Sequence, residues 1–139
     1  MTTWSGGTVG DFMHRYLEVV PRETTIVVAA ERMREKRLGS LLVESTDAQG
    51  RMSSRSGIVT ESDLIRKALA KEIDPSLSMV GQIMTSPLLT ITADRPMLDA
   101  SHFMEMNHVR YLCVSDNEEI VGIISMRDLA RYLDRKSVV

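Results

Sequence analysis

Two stretches of this chain spell the same pattern. "GIVTESDLIR" runs from Gly57 to Arg66 and "GIISMRDLAR" from Gly122 to Arg131. Each reads Gly, two β-branched residues, a hydroxyl, two variable positions, Asp and Leu, and closes on Arg. A duplication limits what the chain can become, because each copy must fold alike and neither is large enough to bury a secure core by itself. The repeat extends well beyond these stretches. "VGDFM" at Val9–Met13 returns as "VGQIM" at Val80–Met84, and in the same register Ala29 meets Ala100, Met33 meets Met104, Leu41 meets Leu112 and Val43 meets Val114. The register then slips within "ESTDAQGRMSSRSG", a Ser- and Gly-rich stretch that reads as a long hairpin loop spanning 44–56 in the first copy only.

Each copy predicts one string of elements, β-α-β-β-α. A short strand lies around Leu17–Val20 and again around Leu88–Thr92. A helix follows, with Ile26, Ala29 and Met33 in one copy and Met97, Ala100 and Met104 in the other at helical spacing, Pro96 suiting the first turn. Two strands come next, "SLLVE" with "SGIVT" and "YLCVS" with "EIVGIIS". A second helix closes each copy, Glu61–Lys71 and Met126–Asp134. The domain reading is therefore repeat 1 over 9–71, a linker over 72–79 with Pro75 barring helix continuation, and repeat 2 over 80–135. The fold class is α+β, with the tandem repeats expected to pack sheet to sheet about a pseudo-twofold axis.

Composition narrows the function. A net charge of −2 with no basic stripe argues against nucleic acid. No apolar run approaches the roughly 20 residues of a membrane span, and the N-terminus lacks a secretory signal, so a cytoplasmic location without membrane contact is expected. One cysteine, Cys113, excludes a disulfide framework and a multi-thiolate metal site. His14, His102 and His108 show no metal-ligand spacing and are expected on helical or loop surfaces. The ten methionines are expected mainly as core filler. Neither a nucleophile–base pair nor a phosphate-binding loop motif is present, so no enzymatic role is expected.

The doubled motif has two readings. Thr60-x-x-Asp63 and Ser125-x-x-Asp128 each fit a helix capping box, with the hydroxyl and the carboxylate satisfying first-turn amides. The same groups suit a nucleotide: strand-to-helix amides favour phosphate, and a fixed carboxylate can accept from both hydroxyls of a ribose. Ile58 and Ile123, on the adjoining strands, could flank a base, and Tyr111 could stack on one or serve as a strand aromatic in the core or a dimer interface. With two such junctions in register, the chain resembles the CBS-domain pair, or Bateman module. The resemblance rests on "VGDFM" and "VGQIMTSPLLTI" opening the copies, "LGSLLV" and "VRYLCVSD" in their middles, and "GIVTESDL" and "GIISMRDL" closing them.

That resemblance implies binding of an adenosyl ligand (AMP, ADP, ATP or S-adenosylmethionine) in clefts between the repeats, and pairing into a homodimeric four-repeat disc. Asp63 and Asp128 would accept the ribose. Thr60, Ser125, Arg110 and Arg127 would contact phosphate or ribose. Val20, Gly39, Ser40, Ile58, Tyr111 and Ile123 would line the base or cleft wall. The copies differ chemically: Arg110 stands where copy one has Gly39, and Arg127 where it has Ser62. One cleft should therefore hold phosphorylated ligand better than the other. Many family members carry Pro where this chain has Leu42 and Cys113. With two repeats filling the chain, any regulatory output is expected in trans, on an unknown protein partner. The alternative is a dimerisation or scaffold module whose clefts are vestigial.

Overall fold

A computed structural model describes residues 7–44, 49 and 57–137. Its element order is α1 (Val9–Phe12), β1 (Val19–Pro21), α2 (Ile26–Lys36), β2 (Ser40–Glu44), β3 (Gly57–Thr60), α3 (Glu61–Asp63, continued by a π-helical stretch Leu64–Leu69), a 3-10 turn (Val80–Gln82), β4 (Thr90–Thr92), α4 (Met97–Asn107), β5 (Tyr111–Asp116), β6 (Glu119–Ser125) and α5 (Met126–Ser137). The β-α-β-β-α order thus occurs twice.

The helices form where the apolar spacing places them. α2 buries Ile26, Ala29 and Met33, and Thr25 caps it by accepting from the Val28 amide at 3.3 Å. α4 buries Met97, Ala100 and Met104, and Pro96 stands at its N-cap, one position ahead of the expected first turn. Both helices end on a left-handed residue that is not glycine, Arg37 (φ 56°) and His108 (φ 53°), at matching positions of the two copies.

Two three-stranded sheets result, ordered β1-β2-β3 and β4-β5-β6. In each, the first pair is parallel and the second antiparallel. The middle strands are almost wholly buried, Leu41, Leu42 and Val43 in one and Leu112, Cys113 and Val114 in the other. The two departures from Pro have a consequence here. Leu42 donates its amide to Glu18 O at 2.9 Å and Cys113 donates to Leu89 O at 3.0 Å, bonds that Pro could not make.

The chain divides into two compact units, one from Glu18 to Leu88, the other joining the residues up to Leu17 with those from Leu89 onward. The opening motif of each copy therefore lies in the unit built on the other copy's strands. Val80 and Gly81 donate to Thr24 O and Arg22 O, and Thr85 exchanges backbone bonds with Ile58. In the other unit Val9 and Gly10 donate to Arg95 O and Ala93 O, and His14 exchanges backbone bonds with Ile123. Each unit has its own core, and the cores match position by position: Val80, Val20, Ile26, Ala29, Met33, Leu41, Val43 and Val59 against Val9, Ile91, Met97, Ala100, Met104, Leu112, Val114 and Ile124. Among the described residues, three methionines are core residues, whereas Met79, Met106 and Met126 are exposed.

Two local readings change, and the stretch between the repeats has a structural contact. The segment Glu61–Lys71 is one α-turn followed by a π-helix, with the Ala70 amide reaching back to Ile65 O at 3.0 Å. α5 runs on to Ser137. The stretch 72–79 serves α2, since Ser78 O and Pro75 O accept from the Ile26 and Val27 amides, two donors the helix itself cannot satisfy. The long loop expected over 44–56 lies largely outside the described residues.

Candidate functional site

The doubled motif forms two strand-to-helix junctions, β3 into α3 and β6 into α5. Each begins on a glycine because another segment crosses it closely. A β-carbon on Gly57 would collide with the Met84 sulfur, and one on Gly122 would lie 2.5 Å from the Met13 sulfur and 2.8 Å from His14 O. The next three residues put alternate side chains inward, Val59 and Ile124 into the cores, leaving Ile58 and Ile123 half-buried.

At the first junction Asp63 is 8% exposed. Its Oδ2 accepts from the Thr60 amide at 3.0 Å and from Thr60 Oγ1 at 3.2 Å, while the Asp63 amide donates to Thr60 Oγ1 at 3.2 Å. The second oxygen, Oδ1, faces Lys67 Nζ at 3.2 Å. That ammonium also donates to Ile83 O at 3.1 Å and Thr85 Oγ1 at 3.4 Å.

At the second junction Asp128 is 2% exposed. Its Oδ2 accepts from the Ser125 amide at 2.7 Å and from Ser125 Oγ at 3.0 Å, and the Asp128 amide donates to Ser125 Oγ at 3.3 Å. Oδ1 faces His14 Nε2 at 2.7 Å, with Arg131 Nη1 at 3.9 Å. Both junctions are thus capping boxes in which one carboxylate oxygen serves the backbone and the other meets a cationic or hydrogen-bonding side chain. A carboxylate this deeply buried requires such a partner.

The other residues singled out in the sequence are placed as follows. Thr60, Ser125, Gly39 and Tyr111 are half-buried, Ser40 is buried, and Val20 is a core residue. Arg110 and Arg127 are exposed. Gly39 and Arg110 share a backbone duty, since their carbonyls accept from the Glu61 and Met126 amides at 3.1 and 2.9 Å. Only the carbonyl is needed there, so the side chain is free to differ between copies.

Two residues at the junctions were not legible as such. His14 carried no motif, and nothing in the sequence set Lys67 apart. Their signal is a mismatch between the copies: His14 stands where the other copy has Thr85, and Lys67 where it has Tyr132. Each junction therefore draws its counter-group from a different element. Cys113 is buried, and desolvation pushes its thiol up to about 12, which removes it as a nucleophile near neutral pH. Among the described residues, no group of three His, Cys, Asp or Glu side chains could hold a metal ion, and no helix is long and apolar enough to cross a membrane.

The duplicated architecture has known counterparts. The chain is 40% identical over 116 residues to the uncharacterized 17.7 kDa protein in the bps2 3′ region of Acidianus ambivalens, covering 83% of this chain and 66% of that protein. Among solved structures, the CBS-domain containing protein ATU1752 from Agrobacterium tumefaciens superposes with a TM-score of 0.76 at 28% identity, over 89% of this chain and 91% of that one. The CBS domain pair of protein MJ0100, in complex with 5′-methylthioadenosine and S-adenosyl-L-methionine, shares the fold with a TM-score of 0.79 at 23% identity, over 94% and 98% of the two chains. The family model of the CBS domain matches residues 9–70 and again 80–135. With both copies matched and most of its length covered, the chain belongs to the CBS-domain family.

Proposed function

We propose that this protein is a non-catalytic regulatory module that binds an adenosyl ligand (AMP, ADP, ATP or S-adenosylmethionine) at its strand-to-helix junctions. The observation that carries this reading is the duplicated, buried carboxylate of Asp63 and Asp128, each spending one oxygen on its own cap and presenting the other to an exchangeable side-chain partner. A ribose diol is a pair of donors that can take the place of that partner on Oδ1. Thr60 and Ser125 lie beside it for phosphate or ribose, and Ile58 and Ile123 offer half-buried apolar surface to a base. Support also comes from the adenosyl ligands held by the CBS pair of MJ0100.

The junctions are unequal in this reading. Arg110 and Arg127 flank the Ser125–Asp128 junction and are exposed, so phosphorylated ligand is favoured there. The module acts as a homodimer in the cytoplasm and passes ligand occupancy to a separate protein partner.

One observation favours a second reading, a dimerisation or scaffold module without ligand: both carboxylates are fully engaged within the chain. Thermal denaturation with AMP, ADP, ATP, S-adenosylmethionine and 5′-methylthioadenosine separates the two. A ligand specific to the native state at about 100-fold its Kd adds about 2.7 kcal/mol and raises Tm. Asp63→Ala and Asp128→Ala should each weaken the corresponding site roughly tenfold or more by removing charge-assisted bonds. A flat Tm with all five compounds favours the scaffold.

A further inference from the structure

The two junctions differ most in what holds the second carboxylate oxygen. At Asp63 it is Lys67, whose side chain is anchored by three partners. At Asp128 it is the imidazole of His14, 2.7 Å away. The Asp128 side chain is only 3% exposed, whereas that of His14 is 57% exposed. The imidazole is therefore the solvent side of this carboxylate.

The backbone of His14 is fixed. Its amide donates to Ile123 O at 2.8 Å, and the Ile123 amide donates back to His14 O at 2.9 Å. The ring can leave Oδ1 by rotating about its side-chain torsions, with no strand pairing broken. Asp128 then retains its two bonds from Ser125 and the field of Arg131. From α5 the Asp128 carboxylate faces the imidazole at 2.7 Å, with Arg131 Nη1 3.9 Å from that same carboxylate oxygen. β6 presents Ile123 at the bridge, and His14's own segment carries Asp11 and Arg15, both exposed.

We propose that His14 is a positioning residue that sets ligand occupancy at the Ser125–Asp128 junction, its imidazole and the ribose diol of an adenosyl ligand competing for Asp128 Oδ1. The inference rests on the adenosyl reading above and adds to it a residue and a direction. While the imidazole bonds Oδ1 it occupies the acceptor that the diol needs, so the bound ring opposes ligand. Removing the ring therefore strengthens binding at this junction and leaves the junction closed by Lys67 unchanged.

Calorimetry on the full chain with AMP and with 5′-methylthioadenosine tests this in wild type, His14→Ala and the double variant His14→Ala with Asp128→Ala. Position 14 is exposed, so truncating its side chain spares the fold. The expected result is binding at one site roughly tenfold tighter in His14→Ala than in wild type, a gain that the double variant loses. Binding by His14→Ala equal to or weaker than wild type, or a gain that survives in the double variant, overturns the inference and leaves the adenosyl reading intact. No heat with either compound in any of the three proteins overturns both.

Discussion

Gly122 lies so close beneath His14 that a β-carbon on the glycine would sit 2.8 Å from the His14 carbonyl oxygen. Thr85 O stands over Gly57 in the same way at 3.0 Å. The repeated glycine thus admits the crossing segment, Met13–His14 in one unit and Met84–Thr85 in the other. Gly122→Ala should destabilise by about 1–3 kcal/mol, because the His14 backbone as well as the Met13 side chain must move, and Gly57→Ala by less, since its severe clash is with the Met84 side chain. Urea unfolding measures this, and a loss near zero in both would mean that the crossing does not form.

Lys67 tethers the Asp63 carboxylate to the carbonyl of Ile83. Lys67→Met should leave that buried carboxylate without its cation and cost about 1–2 kcal/mol, the value kept low because the lysine is itself partly exposed. Adding Asp63→Asn removes the orphaned charge, so the double variant should recover part of the loss. A double-mutant cycle by urea unfolding reads the coupling, and strict additivity would deny it.

Arg37 and His108 each hold a left-handed conformation at the end of α2 and α4. That conformation strains residues with a β-carbon, whereas glycine adopts it freely. Arg37→Gly and His108→Gly should therefore stabilise by about 0.5 kcal/mol each, after the added chain entropy of glycine in the unfolded state. A small rise in Tm for both is the expected outcome, and a fall in both would show that the side chains contribute more than the caps.

Burial raises the Cys113 thiol from 9.0 to about 12. Below pH 9 the thiol is protonated whether folded or not, and stability does not depend on it. Above pH 9 the unfolded chain loses this proton first, so the unfolded state is favoured and stability falls towards pH 12. The slope from this group approaches about 1.4 kcal/mol per pH unit. Stability measured against pH in wild type and Cys113→Ala should diverge above pH 9, with the variant lacking this component. In native protein near neutral pH, iodoacetamide should label Cys113 only as fast as the chain opens.

Much of this was legible in the chain. Helical spacing of Ile26, Ala29 and Met33, and of Met97, Ala100 and Met104, located two helices, because a face that must be buried imposes its period on the residues. Thr60 with Asp63, and Ser125 with Asp128, marked helix starts, since a hydroxyl and a carboxylate three apart meet the same first-turn amides wherever they occur. The π-helical turn after Asp63 was not legible, as no residue type demands it. Nor was the placing of Val9 and Val80 in the core of the unit formed by the other copy, since an apolar residue specifies burial and not the partner that provides it.

The amino-acid order alone determined that the chain is built twice, which elements each copy contains, and where two aspartates would cap two helices. These follow from local rules, in which period, capping and turn chemistry act over a few residues. Tertiary structure alone decided which group meets the buried carboxylate of Asp128. His14 reaches it across 114 positions of sequence, whereas Lys67 meets Asp63 locally, from one turn along the same segment. A buried charge needs an opposing group in space, and folding chooses that group by proximity, without regard to its distance along the chain.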